Sequence, residues 1–221
     1  MRKKFLRAVT ALVISLGTVA GLSVATATNA SACVIIDGEC MPNYQTSKTL
    51  GNNQIQGQHT SYYCGPAATR IALSVRGVFP SQESLADSLG TNSNGTNSSW
   101  DIRRVLNDRT GTQYYDAKFG YDYTTGGWAN LLRSDILFDI NRGWALVVNV
   151  AGGASTTSGW RSYPGGHYVA VLGYDNSGDR ALVADTGYNG GLYDAQGYYY
   201  GVYWIATTEL ARWSYNRGYA A

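Results

Sequence analysis

Histidine and cysteine are scarce in this chain: two of the first and three of the second among 221 residues. The two histidines, His59 and His167, have no Cys, His or carboxylate cluster near them in sequence, which excludes a zinc pattern. No metal and no cofactor is expected. Charge is sparse as well, at 14% Asp, Glu, Lys and Arg. Residues 1–32 hold Arg2, Lys3, Lys4 and Arg7 and no acid; removing these four from 17 leaves 13 basic residues against 15 acidic ones, so a formal net of +2 becomes −2. The remaining arginines are scattered and form no basic stripe, which excludes nucleic acid and an anionic membrane surface as partners. There is no internal repeat, and the Tyr-rich C-terminal part is not periodic enough to be low complexity.

Positive charge is concentrated at the start. Met1 to Arg7 is a basic segment, Ala8 to Ala25 is apolar but broken by Thr, Ser and Gly, and Asn29 to Ala32 ends in an Ala-x-Ala signature. This predicts a secretory signal peptide over residues 1–32 rather than a membrane anchor. The mature protein is therefore expected outside the cell, with no membrane span. Cleavage after Ala32 would leave Cys33 first, which keeps lipid attachment as a minor alternative; Ala30, in place of Leu three residues earlier, favours plain secretion.

Three cysteines in a secreted chain make an odd count. Cys33 and Cys40 are separated by a short segment with Asp37-Gly38 at its turn, and in an oxidising compartment they are expected to pair, leaving Cys64 free. The alternatives are that Cys64 pairs with one of them, or is a buried inert residue. Its setting, Tyr62-Tyr63-Cys64-Gly65-Pro66, argues for reactivity. Ala67, Ala68, Ile71, Ala72 and Val75 recur at helical spacing, and Pro66 suits a first turn where its missing N–H is not needed. Cys64 then stands at a helix N-terminus, where the unpaired N–H groups and the helix dipole favour a thiolate.

The order Gln58-x5-Cys64-Gly65-Pro66-Ala67, then Gly166-His167-Tyr168-Val169-Ala170-Val171, then Val183-Ala184-Asp185 resembles the C39-like branch of the papain-like cysteine peptidases. The resemblance implies a papain-like α+β fold. An N-terminal helical half would present the catalytic cysteine at a helix start, and a C-terminal antiparallel sheet would carry the histidine and aspartate. It implies Cys64 as nucleophile, His167 as base, Asp185 as the residue that orients the imidazole, and Gln58 with the Cys64 N–H as oxyanion donors. Gln54 and Gln56 are the nearby alternatives to Gln58, and the spacing favours Gln58. No ATP-binding cassette or membrane span is expected to follow, so the double-glycine leader specificity of the family's transporters is not carried over.

Residues 33–56 read as an N-terminal extension with one short strand, and 57–221 as the catalytic domain. Helices are expected from Cys64 to about Arg76, from Gln82 to Leu89 with Ser81 as cap and Gly90 as stop, from Trp100 to Asn107, and from Trp128 to about Asn141. Strands are expected at 112–118, 144–150, 167–174, 180–185 and 198–205, with residues 151–166 as a Gly/Ser/Thr-rich loop and a closing helix over 207–213. If Asp175 faces Asp179 across a three-residue turn, paired positions place His167 opposite Gly187. Asp185 is then a diagonal neighbour on the same face, about 7 Å away between Cβ atoms. A slip of one residue would separate the two. Trp160, Tyr163, Tyr62 and Tyr63 are candidate walls of the substrate cleft, with core capping the alternative. His59 is expected to be a surface residue.

The reading is a monomeric secreted peptidase acting on a peptide or protein substrate through an acyl-enzyme. An amidase or acyl transferase on the same site, and a catalytically silent binding module, are the alternatives.

Overall fold

The computed structural model describes residues 34–36, 39–41, 44–187 and 201–221. The expected Cys33–Cys40 pairing and residues 198–200 of the last predicted strand lie outside them, as does the signal segment. Helices come first: α1 Cys64–Ser74, α2 Gln82–Leu89, α3 Ser99–Thr110 and α4 Thr125–Arg142, with α5 Thr207–Ser214 near the end. The strands are β1 Val34–Ile36, β2 Glu39–Met41, β3 Lys48–Thr49, β4 Ala117–Lys118, β5 Leu146–Thr156, β6 Gly159–Asp175, β7 Arg180–Asp185, β8 Val202–Ala206 and β9 Tyr219–Ala220. The architecture is α+β, with Cys64 at a helix start in the helical half and His167 and Asp185 on the antiparallel sheet. Among the described residues no helix is long and apolar enough to cross a membrane.

Helix ends follow the expected chemistry. The Ser81 hydroxyl accepts the Ser84 N–H at 3.1 Å, and Gly90 closes α2 at φ +65°. Thr124 caps α4 in the same way, and Gly143 ends it at φ +82°. Helix α1 is buried on every side. Its small residues Ala67, Ala68 and Ala72 allow α2, α3 and the sheet to pack closely around it. Even Arg70 is buried there, its guanidinium donating to the Gln54 side chain at 3.1 Å.

The main sheet runs β4-β9-β5-β6-β7-β8, with β3 also pairing β6. Strand β6 is its spine. It pairs with β5 on one side and β7 on the other, and β3 takes over the β5 side at Gly173 and Tyr174. Lys48 and Thr49 thus belong to the sheet and Leu50 to the core.

Two expected elements differ. Residues 151–166, expected as a loop, form a β-hairpin arm in which Gly152–Thr156 pair with Gly159–Tyr163. The arm is largely exposed, so it lacks the apolar alternation that marks a half-buried strand. Of the strand expected at 112–118, Ala117 and Lys118 pair with β9, and Asp116 exchanges both backbone hydrogen bonds with Ala221 just beyond it. Ahead of them the buried Asn107 amide does a strand's work, donating to the Tyr115 carbonyl and accepting its N–H, each at 2.9 Å.

On α4, Asp139 is 4% exposed; its Oδ1 accepts the Tyr114 hydroxyl at 2.6 Å and its Oδ2 has no partner. Burial pushes this carboxyl up to about 7, outweighing the Tyr114 hydrogen bond. An unfolded aspartate ionises near about 3.9. Between these values the folded chain keeps a proton that the unfolded chain has lost, so this group's contribution to stability falls as pH rises through the window. Urea unfolding at pH 5 and pH 8 is expected to show a larger loss for wild type than for Asp139→Asn. Equal losses would mean that Asp139 is ionised in the fold.

Candidate active site

Cys64 is the first residue of α1, with Tyr63 at the cap position and no acidic residue in the first turn to offset the dipole. Its Sγ neighbours the His167 imidazole and the backbone N–H groups of Tyr168 and Gly65, all of which favour the thiolate. His167, 5% exposed on β6, presents its other ring nitrogen to β7: Nε2 lies 2.8 Å from Asp185 Oδ1. The nitrogen facing sulfur is therefore Nδ1. Cysteine, histidine and aspartate stand in one row from the helix end into the sheet, with the imidazole hydrogen-bonded to the carboxylate.

The charges along this chain support one another. Burial pushes the Cys64 thiol up, but the His167 hydrogen bond and charge, with the two N–H groups, more than offset it and hold the thiol below its ordinary value. Burial pulls the His167 imidazolium down, but Asp185 and Cys64 outweigh that and raise it to about 9. Asp185, with no exposed surface, would be pushed up by burial, yet it is held below its usual range by His167, by Tyr163 and by the Gly187 N–H. The arrangement favours a thiolate–imidazolium pair backed by a carboxylate.

Asp185 is a diagonal neighbour of His167, since it pairs with Val169, two residues along β6. The route to that register differs from the expected one. Asp175 faces Arg180, not Asp179, across a four-residue turn, and a bulge between Val171 and Gly173 then removes the extra residue. The two departures cancel before the site is reached.

Gln58 is buried on the loop before α1. Its N–H donates to the Thr186 carbonyl at 3.0 Å and its Nε2 to the Thr60 carbonyl at 2.7 Å. One amide hydrogen remains for a ligand. The loop is braced by Gln82, whose amide donates to the Gly57 carbonyl at 2.9 Å and accepts the His59 N–H at 3.0 Å. His59 itself is a surface residue paired with Glu83 at 2.6 Å.

A cleft of about 530 Å³ opens at Cys64 and His167. Its walls are the loop Ser93–Ser98, Tyr62, Phe119 and Tyr121, the β6 segment 165–168, and Asn149 with Asn216 and Arg217. Tyr63, Tyr163 and Trp160, expected as cleft walls, are not among them. Tyr63 stands at the cap position of α1 without a side-chain cap bond and packs edge-on against Tyr62, which does face the cleft. Trp160 is 69% exposed on the hairpin arm and covers Gly153. Tyr163 has a different place: its ring stacks on His167 at 3.9 Å and its hydroxyl donates to Asp185 Oδ2 at 2.8 Å. Tyr203 on β8 donates to the same oxygen at 3.0 Å. Nothing local marked Tyr203, because its contact depends on the β7–β8 pairing.

Gly65 has a steric role. A Cβ there would collide with the Thr96 side chain, whose hydroxyl is linked to that of Thr91 at 2.7 Å. The glycine lets the cleft loop close against the helix start.

A family model described as the Peptidase_C39 like family matches residues 51–220. Among solved structures, the chain is similar to the peptidase domain of Streptococcus ComA, a bi-functional ABC transporter involved in a quorum-sensing pathway. The identity is 14% and the TM-score 0.47, over 76% of this chain and 96% of that one. It is also similar to a double glycine motif protease from an AMS/PCAT transporter, solved with the leader peptide, at 14% identity and TM-score 0.44 over 80% and 96%. UfSP from C. elegans matches at 15% identity and TM-score 0.49, over 80% of this chain and 34% of that one. No curated protein matches.

Tyr163→Phe keeps the stacked ring and removes one donor from a buried carboxylate. The expected cost is about 1–3 kcal/mol at neutral pH. Because the Asp185 carboxyl is lowered in the fold, the stability that its donors supply is present above the unfolded value of about 3.9 and lost as pH falls below it. The gap between variant and wild type in urea unfolding should therefore be full at pH 7 and shrink at pH 3. A gap unchanged at pH 3 would assign the tyrosine to packing alone.

Proposed function

From the premise that the chain belongs to the Peptidase_C39 like family, we propose that it is a secreted cysteine peptidase that hydrolyses peptide bonds through a thioester acyl-enzyme. The observation that carries this reading is that Cys64 and His167 line one cleft side by side, with His167 hydrogen-bonded to the buried Asp185 behind it. Secretion rests on the basic, apolar and Ala-x-Ala pattern of residues 1–32.

The Cys64 thiolate attacks the scissile carbonyl carbon, and the carbonyl oxygen takes the negative charge. Gln58 and the Cys64 N–H, which has no intrahelical acceptor at this first helical position, stabilise that oxygen. The His167 imidazolium gives its proton to the amine nitrogen as the carbon–nitrogen bond breaks, leaving the thioester. Water then attacks with neutral His167 taking its proton, and the carboxylic product leaves as the thiolate is reformed beside the imidazolium. Asp185 holds the imidazole by Nε2, so Nδ1 faces sulfur throughout. An amine in place of water would give transfer instead of hydrolysis, and the geometry at Cys64 is common to both.

Alkylation of Cys64 by iodoacetamide across pH tests the ion pair. The folded protein should label rapidly well below the pH at which a free thiol ionises, about 8.5, and His167→Ala should move that rise upward. Peptide hydrolysis should decline as pH rises through about 9, where the imidazolium loses the proton that the leaving amine needs. Cys64→Ala should lower turnover at least about a thousandfold with the fold intact. An unreactive Cys64, or a Cys64→Ala protein that still turns over peptide, would sink the peptidase reading.

A further inference from the structure

The cleft wall beyond the reactive pair is unequal in charge. Among the described residues no lining residue is a carboxylate, and apart from Cys64 and His167 the one ionic side chain that lines it is Arg217. Arg217 sits on the turn after α5, its N–H bonded to the Ser214 carbonyl at 2.9 Å, and the next residue, Gly218, accepts the Asn149 N–H at 3.0 Å. The turn is thus tied both to a helix and to β5. Its guanidinium has no ion-pair or hydrogen-bond partner among the described residues, and its Nε is buried without an acceptor. Asp101, an acid near this wall, is engaged elsewhere, by the Ser98 hydroxyl at 3.1 Å and by Arg104 at 3.8 Å.

The cation is held beside the chemistry by Gly166. This glycine has φ +96°, and a Cβ on it would occupy the space that Arg217 Nη2 fills, one residue before His167. Two more unsatisfied groups stand on the same wall. Asn149 and Tyr168 are cross-strand partners on β5 and β6, 7% and 3% exposed; the Asn149 amide lies beside the Tyr168 hydroxyl, and beyond that neighbour neither Asn149 Oδ1 nor the hydroxyl has a hydrogen-bond partner among the described residues. A wall of buried polar groups without partners, next to an unpaired guanidinium, is incomplete without a ligand. A guanidinium prefers a carboxylate because its forked donors match both oxygens.

We propose that Arg217, with Asn149 and Tyr168, forms a subsite that selects an acidic side chain of the peptide substrate. The proposal rests on the peptidase reading of the same cleft, and its test is built to fail separately. The probes are mixtures of N-acetylated hexapeptide amides, free of terminal charge, with one position fixed as Glu or as Gln and the others randomised. Each mixture is assayed for protecting Cys64 of the full chain from iodoacetamide, followed by mass spectrometry of the Cys64 peptide, and for release of fragments.

For at least one fixed position, the Glu mixture should protect at about tenfold lower concentration than the Gln mixture. In Arg217→Gln that ratio should fall to about one. Arg217→Lys, which keeps the charge, should retain a reduced preference above one. Near-UV circular dichroism checks that both variants are folded. Equal protection by Glu and Gln, no protection by any mixture, a preference that survives Arg217→Gln, or a folded Arg217→Lys with none would each overturn the proposal. Fragments released without a Glu preference would overturn it while leaving the peptidase reading in place. Glu-selective protection with no fragments would support the subsite and count against peptidase activity.

Discussion

A carboxylate buried with no solvent contact is costly, because removing a charge from water carries a penalty of several kcal/mol. Asp185 meets that cost with donors from widely separated parts of the chain: His167 and Tyr163 on β6, Tyr203 on β8 and the backbone of Gly187. These groups converge only when β6, β7 and β8 are in their observed register. The ordering of the sheet and the ordering of the site are therefore one constraint. The same negative charge holds His167 protonated, and the protonated ring holds the Cys64 thiolate at the end of α1. Charge stabilisation runs from the interior outwards to the atom that reacts.

Much of this was legible before any coordinates. The helix start at Cys64 carried its own evidence in Gly65, Pro66 and the alanine spacing, and the caps Ser81 and Gly90 lie where their chemistry places them. The His167–Asp185 relation was inferred from period two together with an assumed three-residue turn, and it holds because the observed four-residue turn and the bulge cancel. That cancellation could not be read from the sequence. The bulge lies where β3 meets β6, and a Cβ at Gly173 would press against the Lys48 carbonyl. That contact joins residues more than a hundred positions apart, and no local pattern encodes it.

The aromatic residues show the opposite limit. Trp160, Tyr163 and Tyr63 were read by composition and proximity to the site, which says that they are near but not which way they face. Tyr163 pairs with Gly152 across the hairpin arm, and beyond it the β5–β6 register slips through Pro164, Gly165 and Gly166 before resuming at His167. That irregularity brings the tyrosine ring onto the imidazole instead of the cleft. Arg217 went unnoticed for a related reason. An isolated arginine near a chain end has no signature, and its meaning comes from the wall on which the turn after α5 sets it.

Two glycines explain how the cleft can be narrow beside reactive groups that must not move. Gly65 follows Cys64 and Gly166 precedes His167, and in each the space of the missing Cβ is filled by a side chain of the cleft wall, Thr96 in one case and Arg217 in the other. A side chain at either glycine would have to displace the wall or shift the adjacent Cys64 or His167. Both reactive residues are anchored on their far sides, Cys64 by the fully buried α1 and His167 by Asp185 and the stacked Tyr163. The wall is the softer element, since much of it is loop and turn. Changes at these glycines would therefore act first on which substrate fits and only later on the chemistry. On this geometry, selectivity and reactivity are carried by different parts of the fold that meet at single residues.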